Sequence, residues 1–246
     1  MKILNRIFLT LAVSLASVTM SHAATIVENF DGADDGSFQR VHSDFNILGY
    51  SIAYRSGAVW RAGGFVGMSS EWLGNYAHGG AYWANTNNTL KKAKAIAEAR
   101  VTMYGNSQNA PYNWGAWWVS NLLMDNNVYE IDIMETPYPE GNNFNTFNYW
   151  ASGAFPTGDH KTMIGTQWWR NSYRTYKADY TKAKEVKFYM NGNLQYTSVI
   201  SEDNTGRTVW PLFNNRPSVV QLVERGTNLP SGRYPDLYVD WMKITY

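Results

Sequence analysis

The chain has 246 residues, 44% of them hydrophobic and 15% aromatic, enough for one large β domain with a substantial core. Lys and Arg number 21 against 20 Asp and Glu, a balance that excludes the clustered basic surface by which proteins hold nucleic acid. With no cysteine the chain also excludes disulfides, a thiolate nucleophile and a Cys-bearing zinc site, so stability has to come from packing or from an ion held by oxygens.

The first element reads as an export signal. Lys2 and Arg6 precede an apolar run from Ile7 to Met20, and Ser21-His22-Ala23 supplies the small residues of a signal-peptidase site. The run is too short for a membrane span, and polar sequence follows at once. Residues 1–23 are therefore expected to be cleaved, leaving 24–246 as a single secreted or periplasmic domain, monomeric and without membrane contact. Loss of Lys2 and Arg6 leaves 19 basic against 20 acidic residues, so bulk charge does not choose the partner.

Extended segments follow, short, rich in β-branched and aromatic residues and bounded by Gly, Asn, Pro or Asp: AVWRAGGFVGM (58–68), AIAEARVTMY (95–104), GAWWVSNLL (115–123), VYEIDIMET (128–136), FNTFNYWAS (144–152), SYRTYKADY (172–180), EVKFYMNGNLQYTSVI (185–200) and DLYVDWMKITY (236–246). Many short strands at regular spacing predict an all-β sandwich. One helical alternative exists, TLKKAKAIAEAR at 89–100. Between Lys187-Phe188-Tyr189 and Leu194-Gln195-Tyr196, Asn191-Gly192 suits a type I′ hairpin turn, whose central residues both need positive φ. His42, His78 and His160 show no metal-ligand spacing, which leaves them loop or surface roles.

Chemistry concentrates in Glu130-Ile131-Asp132-Ile133-Met134-Glu135, three carboxylates set among apolar residues in a core strand, where unpaired charge is costly. Strict alternation puts Glu130, Asp132 and Met134 on one face and Glu135 on the other. A single β-bulge at Ile133-Met134 would bring Glu135 onto the face of Glu130, about four strand steps or ~13 Å away along the backbone. Leaning side chains could close that gap to the ~5–5.5 Å of a retaining glycosidase, in which one carboxylate attacks the anomeric carbon and the other protonates the leaving oxygen. One carboxyl must then be ionised and the other protonated, and repulsion among neighbouring acids, with Asp132 between the two, can split them in that way.

The same hexapeptide closely resembles the signature of glycoside hydrolase family 16, secreted jelly-roll enzymes that cleave β-glucans and marine galactans, in the bulged form of the laminarinase, agarase and carrageenase relatives. GAWWVSNLL resembles the family's strand across the cleft floor, YRTYKADYTKAKEVKFYMNG its strand pair ending in a hairpin, and DLYVDWMKITY its last strand. The resemblance implies a two-sheet antiparallel jelly roll of the concanavalin type with a cleft on its concave face. It also implies that Glu130 is the nucleophile, Asp132 the assisting acid and Glu135 the general acid/base, acting without a cofactor on a polysaccharide. Two features depart from the family. Asn127-Val128-Tyr129 stands where bulged relatives carry Trp-Pro and Gly, and VVQLVERG places Gln221 and Val223 where an aromatic is common.

Eleven Trp and seventeen Tyr exceed what a core of this size needs, and aromatic rings stack on the C–H faces of sugars. Alternation sends Trp117 and Trp118 to opposite faces, and the resemblance turns Ala116, Trp118 and Ser120, with Gln221, toward the substrate. Likewise Asn148 and Trp150 alternate with Phe147 and Tyr149, and the resemblance selects Asn148 and Trp150 for sugar contact. Asp240 matches the position at which many family members hold a structural calcium. Three other functions use the same residues differently: a non-catalytic carbohydrate-binding module or lectin, a transglycosylase, and a lyase working through Tyr173 and Arg174.

Overall fold

The computed structural model describes residues 23–31, 38–40, 43–47, 50–54, 59–73, 76–79, 81–84, 94–103, 113–120, 127–135, 141–150, 157–164, 172–182, 185–199, 219–226 and 232–246. The export signal at 1–23 falls almost entirely outside the described residues. Among those described, every element is a strand: β1 (Thr25–Glu28), β2 (Phe38–Arg40), β3 (Ser43–Ile47), β4 (Tyr50–Tyr54), β5 (Val59–Arg61), β6 (Val66–Leu73), β7 (Tyr76–Gly79), β8 (Ala81–Ala84), β9 (Ile96–Met103), β10 (Asn113–Ser120), β11 (Asn127–Glu135), β12 (Gly141–Trp150), β13 (Thr157–Ile164), β14 (Arg174–Asp179), β15 (Glu185–Met190), β16 (Asn193–Val199), β17 (Val219–Gly226) and β18 (Gly232–Thr245). The second half of the helical alternative at 89–100 is strand β9.

Two sheets result. One runs β16-β15-β14-β9-β18-β6-β7-β4-β3, with β1 also on β18 and β5 on β6; the other runs β13-β12-β11-β10-β17-β8-β2. Pairing is antiparallel throughout except for the short parallel contact of β4 with β7. Alternation along each strand makes the core. Ala97, Ala99 and Val101 of β9, Tyr176 and Ala178 of β14, Val186 and Phe188 of β15 and Met242 and Ile244 of β18 are buried together with Trp117, Val119, Ile131, Ile133 and Met134 of the seven-stranded sheet. The core therefore lies between the sheets, and each sheet keeps an outer face. No helix of the described residues is long and apolar enough to cross a membrane.

The hairpin joining β15 to β16 has Asn191 at φ 50° and Gly192 at φ 80°, the double positive φ of a type I′ turn. Its tip is tied to β14: Asn191 N donates to the Thr175 carbonyl at 2.8 Å, and Thr175 N donates to Asn191 Oδ1 at 3.0 Å.

Candidate active site

The β10–β11 ladder pairs Ser120 with Glu130, Val119 with Ile131, Trp118 with Asp132, Trp117 with Met134 and Ala116 with Glu135, with a register shift between Trp117 and Trp118. The β11–β12 ladder shifts at the same place, pairing Asp132 with Asn145 and Glu135 with Asn143. Both neighbours thus locate the extra residue of a β-bulge within Ile133-Met134. Residues directly opposed in an antiparallel pair share a face. Glu130, Asp132 and Glu135 consequently share the outer face of the seven-stranded sheet with Ser120, Trp118 and Ala116. Ile131, Ile133 and Met134, each at most 1% exposed, supply the inner face. Burying both bulge residues in the core is what returns Glu135 to the side of Glu130.

Asp132 is 2% exposed and is absent from the apolar cluster between the sheets, as befits a carboxyl on the opposite face. Trp118 stands beside it but is only 8% exposed, and its indole Nε1 is buried without a hydrogen-bond partner. Trp118 is therefore a floor under the site and not an open stacking platform. Trp117, fully buried, belongs to the core.

Neighbouring strands extend this face. Gln221 of β17 pairs with Trp118, and Val223 with Ala116. On β12, Glu130 pairs with Phe147, and Tyr129 with Asn148. The expectation for Asn148 and Trp150 is corrected by this register: Phe147 and Tyr149 share the face of the three acids, and Asn148 and Trp150 take the other parity. Alternation alone offers both choices, and a one-residue offset exchanges them. The register also enlists residues that the sequence reading passed over. Asn145 pairs with Asp132, His160 of β13 with Asn145, and Trp83 of β8 with Gln221. Period-2 alternation marked each as a strand residue, but the face appears only once the strands are paired.

Asp240 does not fit a calcium site as it stands. It is the residue left over where the β18–β9 register shifts between Val239 and Trp241. Its Oδ2 takes the Arg100 guanidinium, which also lies 4.8 Å from the centre of the Tyr173 ring. A cation already occupies the carboxylate, and among the described residues no group of three His, Asp or Glu could hold a metal. The lyase pair is also engaged elsewhere. Tyr173 packs on Arg100, and Arg174, 6% exposed, directs Nη1 to the Met190 sulfur at 3.3 Å. Arg174 begins β14 of the eleven-stranded sheet, away from the carboxylates of β11.

No protein-family model matches the chain, and no curated protein is significantly similar to it. Solved structures do match. The family 16 mixed-linkage glucanase of Bacteroides ovatus, determined with its product, shares 16% identity over 89% of this chain and 99% of its own, with a TM-score of 0.63. A laminarinase from Flavobacterium sp. UMI-01 shares 16% over 90% and 99%, with a TM-score of 0.65. The catalytic domain LamAcat of Zobellia galactanivorans shares 12% over 92% and 98%, with a TM-score of 0.66. Over nearly its whole length this chain has the two-sheet jelly-roll fold of the family 16 glycoside hydrolases.

Proposed function

We propose that the protein is an exported retaining endo-glycosidase of the family 16 type that cleaves internal β-linkages of a polysaccharide, with a β-glucan as substrate. The observation that carries this reading is the common face of Glu130, Asp132 and Glu135 across the Ile133-Met134 bulge. The likeness to structures described as glucanases and laminarinases supports the choice of a glucan. The Glu130 carboxylate attacks the anomeric carbon while Glu135 gives its proton to the departing glycosidic oxygen, so that a glycosyl ester forms as the C–O bond breaks. Glu135, now ionised, takes a proton from water. The hydroxyl adds to the anomeric carbon and Glu130 leaves as carboxylate, which restores both groups and retains configuration. Asp132 lies between them in sequence and on the same face, placed to hold Glu130 and to ease its change of charge. Only carboxylates and water are used.

The test is a panel of polysaccharides covering β-1,3-glucan, mixed-linkage glucan, agarose, porphyran and carrageenan, with product sizing and anomer analysis. Cleavage of a glucan to short oligomers that retain the β configuration, lost in Glu130→Gln and in Glu135→Gln, is the expected result. Binding of these polymers without cleavage would make the chain a lectin, and the inverted anomer would exclude the double displacement.

A further inference from the structure

The ladders from β11 to β2 continue without another register shift, so one straight cross-strand row can be followed along the outer face: Asp132, Trp118, Gln221, Trp83 and Gln39. The row beside it, on the Glu135 side, is Ala116, Val223 and Ala81, all small. Bulky residues alternating with amides thus border a shallow track that begins at Glu135 and ends at β8. Apolar rings for C–H faces and amides for hydroxyls are the chemistry that recognises a neutral sugar chain. Trp83 lies three strands from Asp132, ~14 Å at ~4.8 Å per strand, a span of about three pyranose rings. Trp118, nearly covered, offers little stacking area, which leaves the aromatic surface of this track to Trp83.

We propose that Trp83 and Gln221 form a distal subsite for a neutral, hydroxyl-rich glycan, about three rings from the cleavage point, and that this subsite sets the minimum length of a good substrate. The inference rests on the glycosidase reading for its cleavage point but not for its binding surface. Trp83 stacks on the far ring and Gln221 hydrogen-bonds a hydroxyl of the ring before it. A short oligosaccharide spanning the carboxylates does not reach β8.

Calorimetric binding of a β-1,3-linked glucohexaose and glucobiose to the Glu130→Gln protein, with and without a second change at Trp83, decides the matter, with thermal melts confirming that each variant is folded. Trp83→Ala is expected to weaken hexaose binding about tenfold or more and to leave biose binding unchanged, while Trp83→Phe, which keeps a stacking ring, restores most of the loss. Equal loss for both sugars, no loss for the hexaose, or no hexaose binding in the parent overturns the subsite. Wild-type turnover is read separately. A protein that cleaves no polysaccharide yet binds hexaose through Trp83 would sink the enzyme reading and leave the subsite standing.

Discussion

Ala116 and Glu135 face each other across the β10–β11 ladder, although Trp118, two residues along β10, faces Asp132, three residues back along β11. That one-residue mismatch is the whole reason the two glutamates share a face. Parity, more than length, is therefore what the site should be sensitive to. Deleting Met134 leaves Glu-Ile-Asp-Ile-Glu, a strictly alternating strand that still sets both glutamates on the outer face. Inserting one alanine between Met134 and Glu135 sends the second glutamate toward the core. The deletion costs about 2–5 kcal/mol for the lost buried methionine but should retain measurable turnover, read as reducing ends released from glucan. The insertion should fall to the level of Glu135→Ala. An active insertion variant would show that the bulge does not position the acid.

Glu28 closes the other sheet. It is 5% exposed, and its Oε1 accepts both from Phe30 N at 2.8 Å and from Arg61 Nη2 at 3.2 Å. Phe30 is itself buried with φ at 59°, a left-handed conformation that a bulky side chain adopts only when its surroundings hold it there. The Arg61 guanidinium lies 5.3 Å from the centre of the Phe30 ring. Glu28→Ala strands a buried guanidinium and frees Phe30 together, so urea unfolding should show a loss of about 3–5 kcal/mol. The Glu28→Met, Arg61→Met double variant should lose clearly less than the two single changes combined, because replacing both charges removes the unpaired one. Strict additivity would mean that the pair does not act as a unit.

The Arg100–Asp240 contact makes a prediction about metal. A guanidinium that already neutralises Asp240 leaves no net negative charge there to attract calcium. The melting temperature should be unchanged when calcium or a chelator is added at neutral pH. In Arg100→Met the carboxylate is released, and any calcium dependence should appear in that variant first. A calcium-dependent rise in the wild-type melting temperature would show that the ion displaces Arg100.

These outcomes also explain which parts of the molecule could be read in advance. The Asn191-Gly192 turn was legible because a type I′ turn is specified by its own two residues. The bulge was legible because three acids set among Ile131, Ile133 and Met134 make sense on one face only if the strand gains a residue. Phe147 and Tyr149 were not legible as outer-face residues, because alternation in β12 is satisfied equally by either parity and the choice is made by pairing with β11. Asp240 was misread for a related reason. Its partner Arg100 lies 140 residues away in sequence and reaches it only through the β9–β18 pairing. Trp83 and His160 join the candidate site by the same long-range route.

The assignment of Glu130 as nucleophile and Glu135 as acid/base can be separated from its reverse by azide. An aryl glycoside carries a leaving group that needs little protonation, so Glu135→Ala should still glycosylate Glu130 and then stall for want of a base. Azide needs no base. It should rescue this variant by attacking the intermediate, giving a glycosyl azide with the β configuration of the substrate. In Glu130→Ala no intermediate forms, and azide occupies the space that the carboxylate has vacated. It attacks the anomeric carbon from that side while Glu135 protonates the leaving oxygen, and the product is the α azide. Nuclear magnetic resonance of the anomeric proton distinguishes the two products. Opposite configurations in the two variants, with β from Glu135→Ala, are the expected result. The same configuration from both would separate neither role, and the reversed pattern would exchange the two glutamates.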